Sequence, residues 1–286
     1  MLSFRRDGFL AVLLLAGCLV SVAAAQVVDV QILGRATSGH PKWQPRKPAT
    51  QPAPESQLQA LFQDLAASDA AARDRAFSAL LDLTRADLPA LRKVVERARP
   101  VAPSQAGALR EIVTHVYLSA ETYDCEPRIG FLGLILPALE SVEVPLPEAP
   151  AALEENGLVE IGRANTGVPI DYRIPGFCAF RALREGDVVL GVTAPVQRRM
   201  RDWGELTRGI QSFPAGRRIT LQVLRRGAVL NVPLTLDAKP LLALGERTWS
   251  EVVLPAREAA AEKYWAQHFA PLIDERAPEV SSAGSH

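Results

Sequence analysis

Between Glu55 and Ala120 apolar residues recur every three or four positions. Leu58, Leu61, Phe62 and Leu65 form one stripe, and Ala76, Phe77, Leu80 and Leu83 form a second behind a Ser68-Asp69 cap signal. Leu88, Leu91, Val94, Val95 and Ala98 make a third, with Asp87 placed to cap it and Pro100 and Pro103 to stop it. Ser104 restarts the chain, and Leu109, Ile112, Val113, Val116 and Tyr117 give a fourth face. This spacing predicts four helices of about 12–17 residues joined by short caps, hence two helical hairpins over residues 55–120.

Further along the period shortens to two. Val188 to Val192 is an apolar strand after a Gly186-Asp187 turn, where Asp187 can bond backbone groups. Ile219, Leu221 and Val223 alternate, as do Leu230, Val232, Leu234 and Leu236, across an Arg226-Gly227 turn. That is a hairpin with one buried face, and Pro233 puts its strand at an edge. Trp203, Leu206, Ile210 and Phe213 have helical spacing, ended by Pro214-Ala215-Gly216. Residues 256–270 predict a last helix carrying Tyr264, Trp265, His268 and Phe269, a face expected to pack on its own protein. The fold class is therefore α+β, with an all-α segment followed by a mixed one.

The ends read differently. Arg5 and Arg6 precede a nearly continuous apolar run from Phe9 to Val22, and Ala23-Ala24-Ala25 offers a cleavage site. Residues 1–25 are thus read as an export signal, which places the rest of the chain in the periplasm or cell envelope. A second reading competes, because Leu15-Ala16-Gly17-Cys18 has the form of a lipobox, in which Cys18 is lipidated. Only that second reading brings in the membrane. Residues 26–54 are read as a linker, because five prolines between Pro41 and Pro54 favour extended chain. Trp43 within it is given no role. After export Cys125 and Cys178 lie in an oxidising compartment, so they are a candidate disulfide, the alternative being two small buried residues. Residues 241–286 are read as the last helix and a polar, disordered tail.

Charge and motifs narrow the functions. The 286 residues carry 32 Lys+Arg against 32 Asp+Glu, so no basic footprint argues for nucleic acid. The four histidines, His40, His115, His268 and His286, form no metal-ligand spacing, and His115 is read as a surface or boundary residue. No G-x-S-x-G elbow occurs, so no catalytic residue, metal or cofactor is assigned and the chain is read as non-enzymatic.

Residues 128–236 carry a family resemblance. Phe131-Leu132-Gly133-Leu134, then Pro175-Gly176, Ala179, Ala182-Leu183, Gly186-Asp187, the 203–213 helix and the hairpin, occur in the order found in PDZ domains. The stretch resembles the PDZ domains of bacterial HtrA-type envelope proteases. The resemblance implies a partly open β-barrel with two helices over 121–240, a unit that captures peptide or protein C-termini. It implies that the amides of Leu132, Gly133 and Leu134 hold a terminal carboxylate, with Phe131 in the loop and Arg128 adding charge. Leu134, Ile135 and Leu136 would form the edge to which a peptide adds as a strand, the mode PDZ domains illustrate. Leu206 and Ile210 are candidates either for the pocket of an apolar C-terminal side chain or for the core. Gly157 to Ile161 resembles the next strand, leaving 162–174 as an insertion. The Asp69-x-x-x-Arg73-x-x-Ala76-x-x-x-Leu80 spacing resembles a HEAT-type repeat, a plain helical bundle being the alternative. Two repeats bury little, so these helices are expected to pack on the next domain. The function implied is a non-catalytic, exported peptide-binding scaffold. Two alternatives stand beside it: a regulatory component whose envelope protease acts in trans, and a degenerate PDZ used only for assembly, its groove filled by residues 137–156.

Overall fold

The computed structural model describes residues 39–46, 51–135, 141–144, 166–245 and 248–273. The export signal, Cys18, Leu136, the strand expected at 157–161 and the polar tail lie outside the described residues, as do most of residues 137–156.

Four helices follow the predicted stripes: α1 (Glu55–Asp64), α2 (Ala70–Leu81), α3 (Leu88–Arg97) and α4 (Pro103–Ser119). Asp69 caps α2, its carboxylate accepting the N–H groups of Ala71 at 3.0 Å and Ala72 at 3.2 Å. Asp87 does not cap α3 through its side chain. It closes a short 3-10 turn at Arg85–Asp87 instead, accepting the N–H and hydroxyl of Thr84 and the N–H of Ala53, each at 2.7 Å. Burial opposes its charge, but these donors outweigh burial and hold its carboxyl below the usual range. They also fix the end of the proline-rich stretch, which is therefore not a free tether where it meets the helices. The apolar stripes meet in one core around Leu58, Phe62, Leu80, Leu91 and Ile112.

Two open antiparallel sheets follow, not a barrel. In the smaller, β2 (Tyr123–Phe131) lies between β1 (Lys42–Trp43) and β9 (Asp237–Pro240). Trp43 thus has a place after all, its indole N–H donating to Asp237 at 3.4 Å. The larger sheet runs β3 (Val142–Glu143), β4 (Thr166–Pro169), β5 (Val188–Ala194), β7 (Arg218–Arg225) and β8 (Ala228–Thr235), with β6 (Arg198–Arg199) also on β5. Strand β4 falls within the stretch expected to be an insertion, so that part of it is sheet. Helix α5 (Cys178–Ala182) precedes β5, and α6 (Trp203–Gln211) lies between β6 and β7.

The β7–β8 hairpin turns at Arg226 and Gly227 with φ of 50° and 80°, the left-handed pair of a tight hairpin turn. Ile219, Leu221, Val223 and Leu236 are buried, whereas Leu230 is 39% exposed because β8 is an edge strand. Asp187 is 1% exposed and receives Arg225 through two bonds, at 2.8 and 2.7 Å, and the N–H of Arg184 at 2.7 Å. The chain then folds back. Beyond a π-helical turn at Trp249–Val253, α7 (Leu254–His268) packs on α4, and α8 (Ala270–Ile273) follows. Tyr264 stacks on Tyr117 at 4.6 Å, and Trp265, Phe269 and Leu272 complete the helical core, which also takes in Phe180 from α5. The last helix is thus part of the helical layer, not an appendage.

Candidate functional site

The site begins where β2 ends. The Gly130 N–H donates to Phe213 C=O at 2.7 Å, tying the strand to the end of α6. Three successive carbonyls are then bound by donors from residues 174–179. Phe131 C=O accepts the Cys178 thiol at 3.4 Å, Leu132 C=O accepts the Ala179 N–H at 3.0 Å, and Gly133 C=O accepts the Ile174 N–H at 2.8 Å. Burial, then the neighbouring Asp237 carboxylate, pushes the Cys178 thiol far up, so it stays a protonated donor. In a planar trans peptide the N–H points opposite to the C=O. Pinning carbonyls 131, 132 and 133 therefore points the amides of Leu132, Gly133 and Leu134 each away from its own carbonyl's donor in 174–179. Successive amides so directed suit the oxygens of an anion. Gly133 has φ +78°, and a Cβ there would overlap the side chain of Phe177, so glycine is required.

The next residues form a single bridge. Leu134 faces Arg173 in an isolated antiparallel bridge closed by Ile174 N–H to Gly133 C=O and Ile135 N–H to Tyr172 C=O. That bonding pattern leaves the N–H and C=O of Leu134 pointing outward. Further on, β3 pairs with β4 at Gly167 and Thr166 and is the terminal strand of its sheet. Leu132 and Leu134 pack inward with Leu206 and Ile210, while Ile135 turns to a separate core containing Phe177, Trp249 and Leu254.

Of the expected pocket residues, Leu206 and Ile210 are 1% and 3% exposed and belong to the core. They share that core with Leu132, and Leu134 packs against it. Helix α6 presents other residues. Its Gly209 flank meets β6 and Met200, and Glu205 accepts the Arg201 N–H at 2.9 Å. The opposite flank carries Trp203, Thr207 and Gln211, one helical turn apart and half-buried. Sequence reasoning passed over Thr207 and Gln211 because it followed the apolar stripe; their spacing from Trp203 was the available signal. Arg128 is exposed in an irregularity of β2 between Glu126 and Gly130, its own N–H bound to the Glu126 carboxylate at 3.1 Å.

Behind the loop, Asp237 accepts the Cys178 N–H at 2.7 Å. Burial raises its pKa to about 6 against the pull of Arg181 and the donors Cys178 and Trp43. His115 is not at the surface: it is 0% exposed, its Nδ1 accepts the Gly176 N–H at 3.0 Å, and its ring stacks on Phe180. Cys125 and Cys178 are free and do not pair. Cys125 lies beside Pro41 in the core of the smaller sheet, and Cys178 lies beside Phe131 in that of the larger. A cleft of about 600 Å³ lies between α2 and the turns at 184–187 and 225–226. Its Arg225 and Arg226 pair with Asp187 and Asp74, and its Arg184 sits over Phe77. Among the described residues no cluster of His, Cys, Asp or Glu could hold a metal ion, and no helix is long and apolar enough to cross a membrane.

The fold and site define an α+β protein in which the 131–134 loop leads from β2 into a single antiparallel bridge between Leu134 and Arg173. No family model matches the chain, and no curated protein matches it. Among solved structures it is similar to the HtrA-type protease AlgW with a decapeptide, at 26% identity and a TM-score of 0.27, over 39% of this chain and 30% of that one. A point variant of AlgW with a decapeptide matches at 24% identity and a TM-score of 0.28, over 39% and 30%. The same variant with a tripeptide matches at 24% identity and a TM-score of 0.27, over 39% and 32%. The chain spans less than a third of the length of each.

Proposed function

We propose that this chain is a non-catalytic scaffold of the cell envelope whose PDZ-type unit captures free C-terminal ends of peptides or proteins. One observation supports the reading: three neighbouring carbonyls are bound from 174–179, and among the described residues the amides of Leu132, Gly133 and Leu134 have no backbone acceptor, next to the outward N–H and C=O of the Leu134 bridge. A terminal carboxylate accepts from those amides, as anions do at backbone nests. The last N–H of the peptide donates to the outward C=O of Leu134, from which the peptide adds as a strand. Its last side chain rests between Leu134 and the Trp203–Thr207 flank of α6. No nucleophile or metal enters this account.

The test is binding of the full chain to a library of C-terminal peptides, each as free acid and as amide, measured by fluorescence anisotropy. Charge-assisted hydrogen bonds to a carboxylate contribute about 1.5–3 kcal/mol, so amidation should weaken binding at least about tenfold. Thr207→Arg, on the open flank, should abolish binding with an unchanged melting temperature. Equal affinity for acid and amide forms, or a Thr207→Arg variant that binds normally, would contradict the proposal.

A further inference from the structure

Segment 174–179 has two faces. One holds the amide-donor loop through Ile174 N–H, the Cys178 thiol and Ala179 N–H. The other is held by the helical layer. Gly176 N–H donates to Nδ1 of His115 on α4, at 3.0 Å. Arg257 of α7 donates to Pro175 C=O at 3.0 Å, lies 4.8 Å from the Phe177 ring centroid, and is anchored to Glu121 at 2.7 Å. Gly176 has φ +95°, and a Cβ there would lie 2.6 Å from Arg257 Nη2 and 3.1 Å from the Leu118 carbonyl carbon. The turn therefore sits directly on α4 and α7. A third tie runs through Tyr172, whose C=O accepts the Ile135 N–H and whose hydroxyl donates to Glu258 of α7 at 2.8 Å.

We infer that His115 and Arg257 are positioning residues through which the helical layer sets the geometry of the 132–134 amides. This inference rests on the proposed function only for its consequence, the strength of carboxylate binding. Neither residue touches the ligand. Each fixes a peptide unit of the 175–177 turn, and that turn fixes the carbonyls of the loop. Because a backbone N–H donates to His115 Nδ1, that nitrogen must be unprotonated and its role is that of an acceptor. Asparagine carries an acceptor oxygen at the same place along its side chain, whereas leucine carries none. For Arg257, lysine keeps a donor and a charge, and methionine keeps only the packing.

The experiment uses the full chain and compares H115L with H115N and R257M with R257K. Hydrogen exchange at the Ile174 and Ala179 amides reports the clamp without any ligand. H115L and R257M should speed exchange at both amides about tenfold, the effect of losing one hydrogen bond of about 1.4 kcal/mol, while the β7–β8 hairpin keeps its protection. H115N and R257K should restore most of the protection. The same variants, titrated with free-acid and amidated peptides, should lose discrimination between the two in the same order. Unchanged exchange at Ile174 and Ala179, or acceleration spread equally over the hairpin, would overturn the inference. If wild-type protein binds no peptide while exchange responds as stated, the clamp stands and the peptide-capture reading falls.

Discussion

Asp237 and His115 are buried, ionisable and placed on opposite sides of the 174–178 turn, and acid acts on them in opposite senses. The folded-state pKa of Asp237 is raised from 3.8 to about 6, so between those values the folded chain binds more protons than the unfolded one. Its contribution therefore favours folding as pH falls through that window, by about 3 kcal/mol in all. His115 is displaced the other way, well below 6.5, first by burial and then by Arg181, Arg46, Arg257 and Arg173. Its stabilising contribution is complete above pH 6.5 and is lost as pH falls below it. Urea unfolding at pH 7 and pH 4.5 separates the two. Relative to wild type, Asp237→Asn should lose more stability on acidification and His115→Asn less. Identical pH dependence in all three proteins would contradict these assignments. His115 could not be read this way in the sequence, where it is one histidine beside an apolar stripe; its acceptor role depends on a turn 61 residues away.

At the scale of elements, Leu206 and Asp187 make the sharpest predictions. Leu206→Ala leaves a hole beneath the loop and should cost about 2–5 kcal/mol in chemical denaturation, in line with other buried leucines. Asp187→Ala strands a buried amide and a quarter-exposed Arg225 and should cost about 1–3 kcal/mol. Losses below 1 kcal/mol at either site would show that the contacts are not made. Four helices, α6 and the β7–β8 hairpin were legible because their apolar periods of 3.6 and 2 are set locally. The Phe131–Leu134 loop was legible through its glycine. Strand β4 was not: its Gly167 and Pro169 read as loop, and pairing with β5 overrides that local preference. Strand β1 was hidden in the same way among prolines. The half-polar flank of α6 was missed because a search for apolar residues finds the core side of a helix, not the side left open.

For the whole molecule, side-chain packing crosses the boundaries drawn from the sequence. Phe180 of the sheet unit lies in the helical core, and one core combines Tyr123, Phe177, Ala238 and Trp249 from distant parts of the chain. Residues 121–240 alone lack His115, Arg257, Trp249 and Trp43. That fragment should lose cooperative unfolding, or melt far below the full chain, in calorimetry; an unchanged melt would show the sheet unit to be independent. This long-range packing is what pattern reasoning could not supply, since the partnership of Arg257 with Glu121 spans 136 residues.

The central claim concerns where a peptide end sits, and amide chemical shifts of the isotopically labelled full chain report that directly. On titration with a free-acid peptide that binds, the account predicts the largest shifts at Leu132, Gly133 and Leu134, smaller ones at Trp203 and Thr207, and none at the exposed β8 edge around Val229 and Leu230. Shifts centred on that edge, or on the cleft beside Arg184 and Arg226, with a silent 132–134 loop, would contradict it.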